Sequence, residues 1–211
     1  MIETRTKPYG AIVVLVVLQL PLSGFLVRDS GLAAQMTSEA LFWLFAILIL
    51  VYVLLVERRP LSSIGLTVPT WKSAAFGVAC AVAMIAAMAF CYIVVLPALH
   101  LGTDDSQMAS VKSLTFGFRL AIIARAAVFE ELFYRGFAIE RLTELTGLRW
   151  LAALISLVAF TFAHLEYWGW AHLLVVTVAG ALLTGLYLWK RDLVANMIAH
   201  LITDGVGFLL G

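Results

Sequence analysis

Residues 129–137 read Phe-Glu-Glu-Leu-Phe-Tyr-Arg-Gly-Phe and place two carboxylates and an arginine in an otherwise apolar stretch. An ionisable side chain at membrane depth costs about 2.5–3.5 kcal/mol on insertion scales, so such residues face the interior of a helix bundle and usually serve a function. In a helix, Glu131 and Arg135 lie at i and i+4 and can pair along one face. Glu130 then points about 100° away. The spacing predicts that Arg135 neutralises Glu131 and leaves Glu130 free for chemistry.

Three further ionisable residues, His164, His200 and Asp204, also fall inside apolar stretches. His200 and Asp204 share one helix face at i and i+4, and Asn196 adds a polar side chain one turn earlier. Such a strip must face protein or water, because lipid offers no hydrogen-bond partner. A rise of about 1.5 Å per residue places Glu130, His164 and His200 in one slab away from both membrane surfaces.

These residue types support two forms of hydrolysis. A carboxylate such as Glu130 can take a proton from water as a general base, and His164 can orient that water or receive the proton. His200 can polarise a carbonyl or stabilise an oxyanion. Alternatively, Glu130, His164 and His200 can hold a divalent metal such as zinc with one position left for water. Because no serine or cysteine stands beside a base as a nucleophile, both forms use activated water.

The sequence resembles the CPBP (CAAX protease and bacteriocin-processing, Abi) family of intramembrane proteases, which includes the prenyl-protein endopeptidases that trim CAAX ends. Its motifs Glu-Glu-x-x-x-Arg, Phe-x-x-x-His and His-x-x-x-Asn/Asp match residues 130–135, 160–164 and 200–204. Each motif is weak alone, but the three occur in order and each lies in an apolar span. The resemblance covers roughly residues 120–204, and the preceding helices match only in being apolar.

The resemblance implies that Glu130 activates the water with help from His164. Glu131 and Arg135 would hold the geometry of the site. His200 and residue 204 would line the oxyanion or metal position. The last motif position is often asparagine in the prenyl-protein enzymes and is Asp204 here. Because an aspartate donates a hydrogen bond only when protonated, a metal-binding or histidine-orienting role gains over a simple oxyanion donor. The choice between a metalloprotease and a glutamate-dependent enzyme stays open.

The amino-acid composition indicates the kind of fold that positions these residues. The chain has 211 residues, of which 63% are hydrophobic and 13% charged, and its mean hydropathy is +1.02. A soluble domain is usually about a quarter charged, so we expect an all-α, polytopic membrane bundle forming one domain. The net charge of +1 gives no basic surface for nucleic acid. The expected partners are membrane lipid and a membrane-associated or lipidated peptide substrate.

Seven apolar spans are predicted, at residues 10–27, 40–56, 73–101, 113–144, 150–164, 171–189 and 193–210. The first three make up an N-terminal part, 1–112, and the motif-bearing core is 113–211. Lysine and arginine are more frequent in alternate connectors, which predicts a cytoplasmic N-terminus.

Arg119 and Arg125 also fall in the predicted motif helix. Arg119 lies near its outer end and can snorkel to the surface. Arg125 can pair with a carboxylate or bind an anionic end of a substrate, and structural pairing is the favoured interpretation.

The sequence therefore predicts an intramembrane endopeptidase that cleaves near a lipidated or membrane-embedded segment. One alternative is a catalytically silent protein, such as a scaffold or a bacteriocin immunity factor, whose polar residues only join helices. A proton-coupled transporter is the weaker alternative, because no internal repeat stands out. A protease requires Glu130, His164 and His200 to converge around a water-accessible cavity.

Overall fold

A computed structural model describes Gly10, Val14 and residues 32–104 and 106–210, and all regular structure among them is helical. The α-helices are α1 (Leu32–Val51), α2 (Trp71–Phe90), α3 (Ser106–Lys112), α4 (Phe116–Glu130), α5 (Ile139–Thr146), α6 (Arg149–Ala163), α7 (Leu165–Lys190) and α8 (Leu193–Gly205). A helical turn, Leu96–Ala98, and a 3₁₀-helix, Leu61–Ile64, lie between them. Wider π-helical segments cover Tyr52–Val56, Cys91–Val95, Glu131–Ala138 and Val206–Leu210.

Five helices in the described ranges are long and apolar enough to cross a membrane, and these are Ala33–Val56, Trp71–Ala98, Arg149–Trp168, Trp170–Lys190 and Leu193–Leu210. The helix formed by α4, Glu131–Ala138 and α5 has comparable length but carries several charged residues. We call this continuous segment, 116–146, the motif helix. The predicted all-α polytopic bundle is therefore confirmed. The predicted first span, 10–27, lies outside the described residues except for Gly10 and Val14, which are both helical and buried.

Two helices differ at their ends from the sequence-based boundaries. Helix α1 begins at Leu32 rather than at residue 40, so Glu39 belongs to the helix and not to the preceding connector. Helix α7 is broken at Gly169, whose φ of 77° is a left-handed value that glycine adopts without strain. This break separates the end of one candidate span from the start of the next.

The motif helix is tied to the α1 region by two similar ion pairs. Arg125 binds Glu39 in α1, and Arg141 donates from Nε to Glu57 Oε1 at 2.8 Å just beyond it. Both arginines are buried. Because an unpaired buried charge is strongly destabilising, these pairs restrict how the two helices can pack.

Residues 131–138 of the motif helix are π-helical and entirely buried. Single π-turns are frequent at functional sites, and a segment this long changes the direction in which successive side chains point. Gly136 lies in this segment, at a point where two other parts of the chain pack closely against its backbone. A Cβ atom there would be 2.9 Å from the Ile64 carbonyl oxygen and 2.7 Å from Leu193 Cδ1. The absence of a side chain therefore lets α8 and the 3₁₀-helix pack against the motif helix.

Replacing Gly136 by alanine is expected to destabilise the bundle by about 1–3 kcal/mol, because the backbone at Ile64 must shift to admit the methyl group. The matched control is Gly185→Ala, since a Cβ there would meet nothing within 4 Å and alanine favours a helix over glycine. Thermal unfolding of the purified variants in detergent measures both effects. Equal midpoints for the two variants would contradict this packing role of Gly136.

Candidate active site

Glu131 lies at the centre of a buried polar network and is fully inaccessible. Arg135 donates from Nη1 to Glu131 Oε1 at 2.8 Å, as the i, i+4 spacing predicts. His200 donates from Nδ1 to the same oxygen at 2.8 Å, and Asn196 donates from Nδ2 to Oε2 at 3.1 Å. Because a carboxylate accepts only, the hydrogen on His200 Nδ1 is fixed by this contact. Glu131 therefore joins the motif helix to α8 and orients the His200 ring.

The remaining donors of Arg135 are also used within the protein. Its Nη2 donates to the Gly180 carbonyl at 3.2 Å, and its guanidinium carbon lies 4.1 Å from the centre of the Phe160 ring. Gly180 permits this approach, since a Cβ there would lie 2.9 Å from Phe160. Arg135 thus links α7 and α6 to the motif helix, and the phenylalanine of the second motif packs on the arginine of the first.

Glu130 points away from this network, as the helical rotation predicts. Its Oε2 atom is buried, has no hydrogen-bond partner in the described part of the chain, and lies 3.8 Å from His164 Nε2 and 4.0 Å from His200 Nε2. On the other side, Oε1 lies 3.9 Å from Arg125 Nη1. These separations are too long for direct hydrogen bonds, and polar groups at such distances are commonly bridged by water.

His164 is held with one ring nitrogen toward Glu130. Its Nδ1 donates to the Phe160 carbonyl at 2.7 Å, and the two rings lie 4.6 Å apart. A carbonyl accepts only, so the neutral ring carries its hydrogen on Nδ1 and presents the lone pair of Nε2 to the Glu130 side. The second motif therefore supplies an oriented proton acceptor.

His200 and Asp204 lie on one face of α8, as predicted. His200 Nε2 is 3.4 Å from Asp204 Oδ2, while its Nδ1 is bound to Glu131. With both ring nitrogens protonated, His200 can donate to Glu131 from one side and toward the Glu130 side from the other. Asp204 is placed to orient the ring.

These side chains open onto a cavity of about 350 Å³. Glu130, His164, His200 and Asp204 line it, whereas Glu131 and Arg135 lie behind its wall. Much of the remaining lining is apolar and includes Met84, Met88, Leu114, Ile123, Phe129, Val175, Val176 and Ala179. The predicted convergence of Glu130, His164 and His200 around one cavity is present in the structure.

The predicted metal donors lie farther apart than the ligands of a zinc site. Ligands held about 2.0–2.1 Å from a tetrahedral zinc lie closer together than Glu130 Oε2 and the two histidine nitrogens, at 3.8 and 4.0 Å. Within the described ranges, no group of three or more histidine, cysteine, aspartate or glutamate side chains is arranged to hold a metal ion. The donors as placed do not fit a zinc centre.

Several cavity residues were not identified as site residues from the sequence. Glu39 falls in a predicted connector but lies in α1 and lines the cavity. The predicted structural pairing of Arg125 is present, as an ion pair with Glu39, and Arg125 also lines the cavity. His172 lines the cavity too, with its Nδ1 2.8 Å from the Tyr92 hydroxyl. The charge of Glu39 beside a long apolar stretch was the one signal that sequence analysis could have used.

The family comparison supports the resemblance found in the motifs. Residues 112–206 match the model of the family described as type II CAAX prenyl endopeptidase Rce1-like. No curated protein and no solved structure matches the chain. The matched segment holds all three motifs and the basic side chains with a nitrogen within 4 Å of the Glu130 carboxylate in the described part of the chain, which are Arg125, His164 and His200. Residues 112–206 of this integral membrane protein are similar to the type II CAAX prenyl endopeptidase Rce1-like family of membrane proteases.

Proposed function

We propose that the chain is an intramembrane endopeptidase that hydrolyses a peptide bond near the lipidated end of its substrate, using water activated by Glu130. The observation that carries the proposal is the position of Glu130 Oε2, which is buried without a hydrogen-bond partner among the described residues and lies 3.8 Å from His164 Nε2 at the cavity. A water molecule bound between these two atoms would donate one hydrogen to each.

In the proposed reaction, the water oxygen attacks the carbonyl carbon while Glu130 takes one of its protons. His200 donates from Nε2 to the oxyanion that forms, and Asp204 holds its ring. Glu130 then passes its proton to the leaving nitrogen as the C–N bond breaks, which releases an amine and a new carboxylic acid. Glu131 and Arg135 touch no reacting atom and position His200 and the motif helix.

The alternatives are less well supported by this geometry. In a scaffold or immunity factor, polar residues that only join helices would be satisfied by one another, as Glu131 is. Glu130 is instead directed into a cavity together with two histidines. The proposed substrate is a prenylated peptide, because the family description names prenyl substrates and the apolar part of the cavity can bury an isoprenoid chain.

The experiment is cleavage by the full chain reconstituted in liposomes, with a farnesylated CAAX peptide and the same peptide without the lipid. Mass spectrometry of the products identifies the bond that is broken. We expect one cleavage site and a preference for the farnesylated peptide of at least about tenfold, because the lipid buries many methylene groups. Equal cleavage would contradict lipid recognition, and intact peptides of both kinds would contradict the peptidase.

Replacing His164 by glutamine is expected to lower kcat by about 10²–10⁴-fold, because glutamine cannot orient the water for proton transfer to Glu130 as the imidazole does. The bundle should remain folded, since the His164 side chain is 21% exposed and its Nδ1 bonds the Phe160 carbonyl one helical turn earlier. The control is His100→Gln, because His100 is exposed and does not line the cavity. Equal rates for the two variants would remove His164 from the mechanism.

A further inference from the structure

Arg125 precedes Glu130 by five residues, and its guanidinium faces two carboxylates. Its Nε donates to Glu39 Oε2 at 3.1 Å and its Nη2 donates to Glu39 Oε1 at 3.1 Å. Its Nη1 lies 3.9 Å from Glu130 Oε1. The side chain is buried, and its guanidinium carbon is 4.4 Å from the centre of the Phe42 ring. Glu39 and Phe42, both in α1, therefore fix the orientation of the nitrogen that faces Glu130.

Glu130 requires an opposite charge, because a carboxylate withdrawn from water is costly unless it is compensated. Arg135 is directed away from Glu130, with Nη1 on Glu131 and Nη2 on the Gly180 carbonyl. Among lysines and arginines in the described ranges, Arg125 is the one with a nitrogen within 4 Å of the Glu130 carboxylate. The other basic side chains with a nitrogen within 4 Å in those ranges are His164 and His200, and Tyr134 is a further titratable group that senses the charge of Glu130.

We propose that Arg125 is a positioning residue that compensates the charge of Glu130 in its ionised, cavity-facing form, and that Glu39 holds Arg125 back from direct contact with it. A bidentate arginine on Glu130 would occupy the oxygen lone pairs that the water needs. At 3.9 Å, Arg125 acts on Glu130 through its charge and leaves those lone pairs free. This inference rests on the proposed role of Glu130 as general base. It also assigns α1, through Glu39, a part in positioning the active-site residues.

The test must separate the electrostatic effect of Arg125 on Glu130 from the contribution of the Arg125–Glu39 ion pair to stability. The double variant Arg125→Met/Glu39→Gln removes both charges of the pair, keeps two side chains of similar length, and leaves Glu130 without its arginine. The matched control is Arg141→Met/Glu57→Gln, which removes the second buried arginine–glutamate pair between the α1 region and the motif helix. Arg141 also lies over an aromatic ring, that of Phe137, but it does not line the cavity.

We expect Arg125→Met/Glu39→Gln to lower kcat about 10- to 100-fold, with KM changed less than about threefold, because the general base is impaired while the substrate site is intact. The control pair should stay within about threefold of wild-type kcat, since it lies outside the site. If the first double variant does not fold, Arg125→Lys and Arg125→Gln provide the comparison. Lysine should then retain at least about ten times the kcat of glutamine, because it keeps the charge.

A second measurement does not depend on substrate. Infrared difference spectra, taken against the same protein carrying Glu130→Gln, isolate the carboxylate band of Glu130, whose frequency responds to a neighbouring cation. We expect this band to shift in Arg125→Met/Glu39→Gln and to keep its wild-type position in Arg141→Met/Glu57→Gln. Retained kcat or an unshifted band in Arg125→Met/Glu39→Gln overturns the inference, and so does equal kcat for the lysine and glutamine variants. Failure of the wild type to cleave any peptide overturns the proposed function instead, and the spectra then decide the role of Arg125 alone.

Discussion

Glu130→Gln is expected to lower kcat by about 10²–10⁴-fold while the protein stays folded, because glutamine has nearly the same shape but cannot accept the proton of water. The loss should appear equally in kcat and in kcat/KM, since the proton transfer occurs only in the transition state. Folding should be little affected, because Glu130 Oε2 has no hydrogen-bond partner in the described part of the chain.

The measurement is the rate of cleavage of the farnesylated peptide, with thermal unfolding followed on the same preparations. Glu144→Gln is a suitable control, since it also neutralises a carboxylate of the motif helix but that carboxylate is exposed and lies outside the cavity. A Glu130→Gln protein that cleaves as fast as the control would show that another group activates the water.

Arg135→Met is expected to have the largest effect on stability, with a loss of about 3–5 kcal/mol, because it removes the guanidinium paired with a fully buried carboxylate. Glu131 would keep His200 and Asn196 as partners, so the double variant Arg135→Met/Glu131→Gln should recover part of the loss by removing the buried carboxylate charge as well. Unfolding in detergent, followed by circular dichroism against denaturant, measures both variants.

The contrasting pair is Arg59 with Glu144, whose side chains are 23% and 40% exposed. Because exposed pairs contribute about 0–1 kcal/mol, Arg59→Met should lose far less stability than Arg135→Met. Similar losses for Arg59→Met and Arg135→Met would contradict the structural role assigned to the buried network.

The two carboxylates of the first motif illustrate how adjacent residues acquire different roles. Glu131 accepts three hydrogen bonds, whereas Glu130 faces the cavity. Their difference follows from helical rotation, which depends on local geometry alone. For this reason the Glu131–Arg135 pair and the separate direction of Glu130 could be predicted from the sequence.

Contacts between distant helices were harder to predict. Glu39 and Arg125 are 86 residues apart, and nothing in their local sequences relates them. Helix α1 also begins earlier than its apolar stretch, because the charge of Glu39 is compensated by Arg125 on another helix. Hydropathy evaluates each segment as though lipid surrounded it, so it predicts that a helix ends at a charged residue. Here the charge of Glu39 is paired inside the bundle, and the helix extends past it.

The π-helical segment 131–138 was likewise not predicted, since its pattern of side chains resembles that of an ordinary helix. Gly136 lies within it, where Ile64 and Leu193 approach closely. The motif residues could therefore be identified from the sequence. The residues that position them, such as Glu39 and Arg125, could be recognised only in the folded bundle.

The most direct test of the account is cleavage of the farnesylated peptide by wild type and Glu130→Gln after exhaustive chelation, with the metal content of each sample measured. We predict that wild-type protein with less than one metal ion per ten molecules retains most of its activity, because a carboxylate general base needs no metal ion. The Glu130→Gln variant should be inactive under the same conditions. Activity that disappears with chelator and returns in proportion to added zinc would contradict the proposed mechanism, in which the water is bound directly between Glu130 and His164.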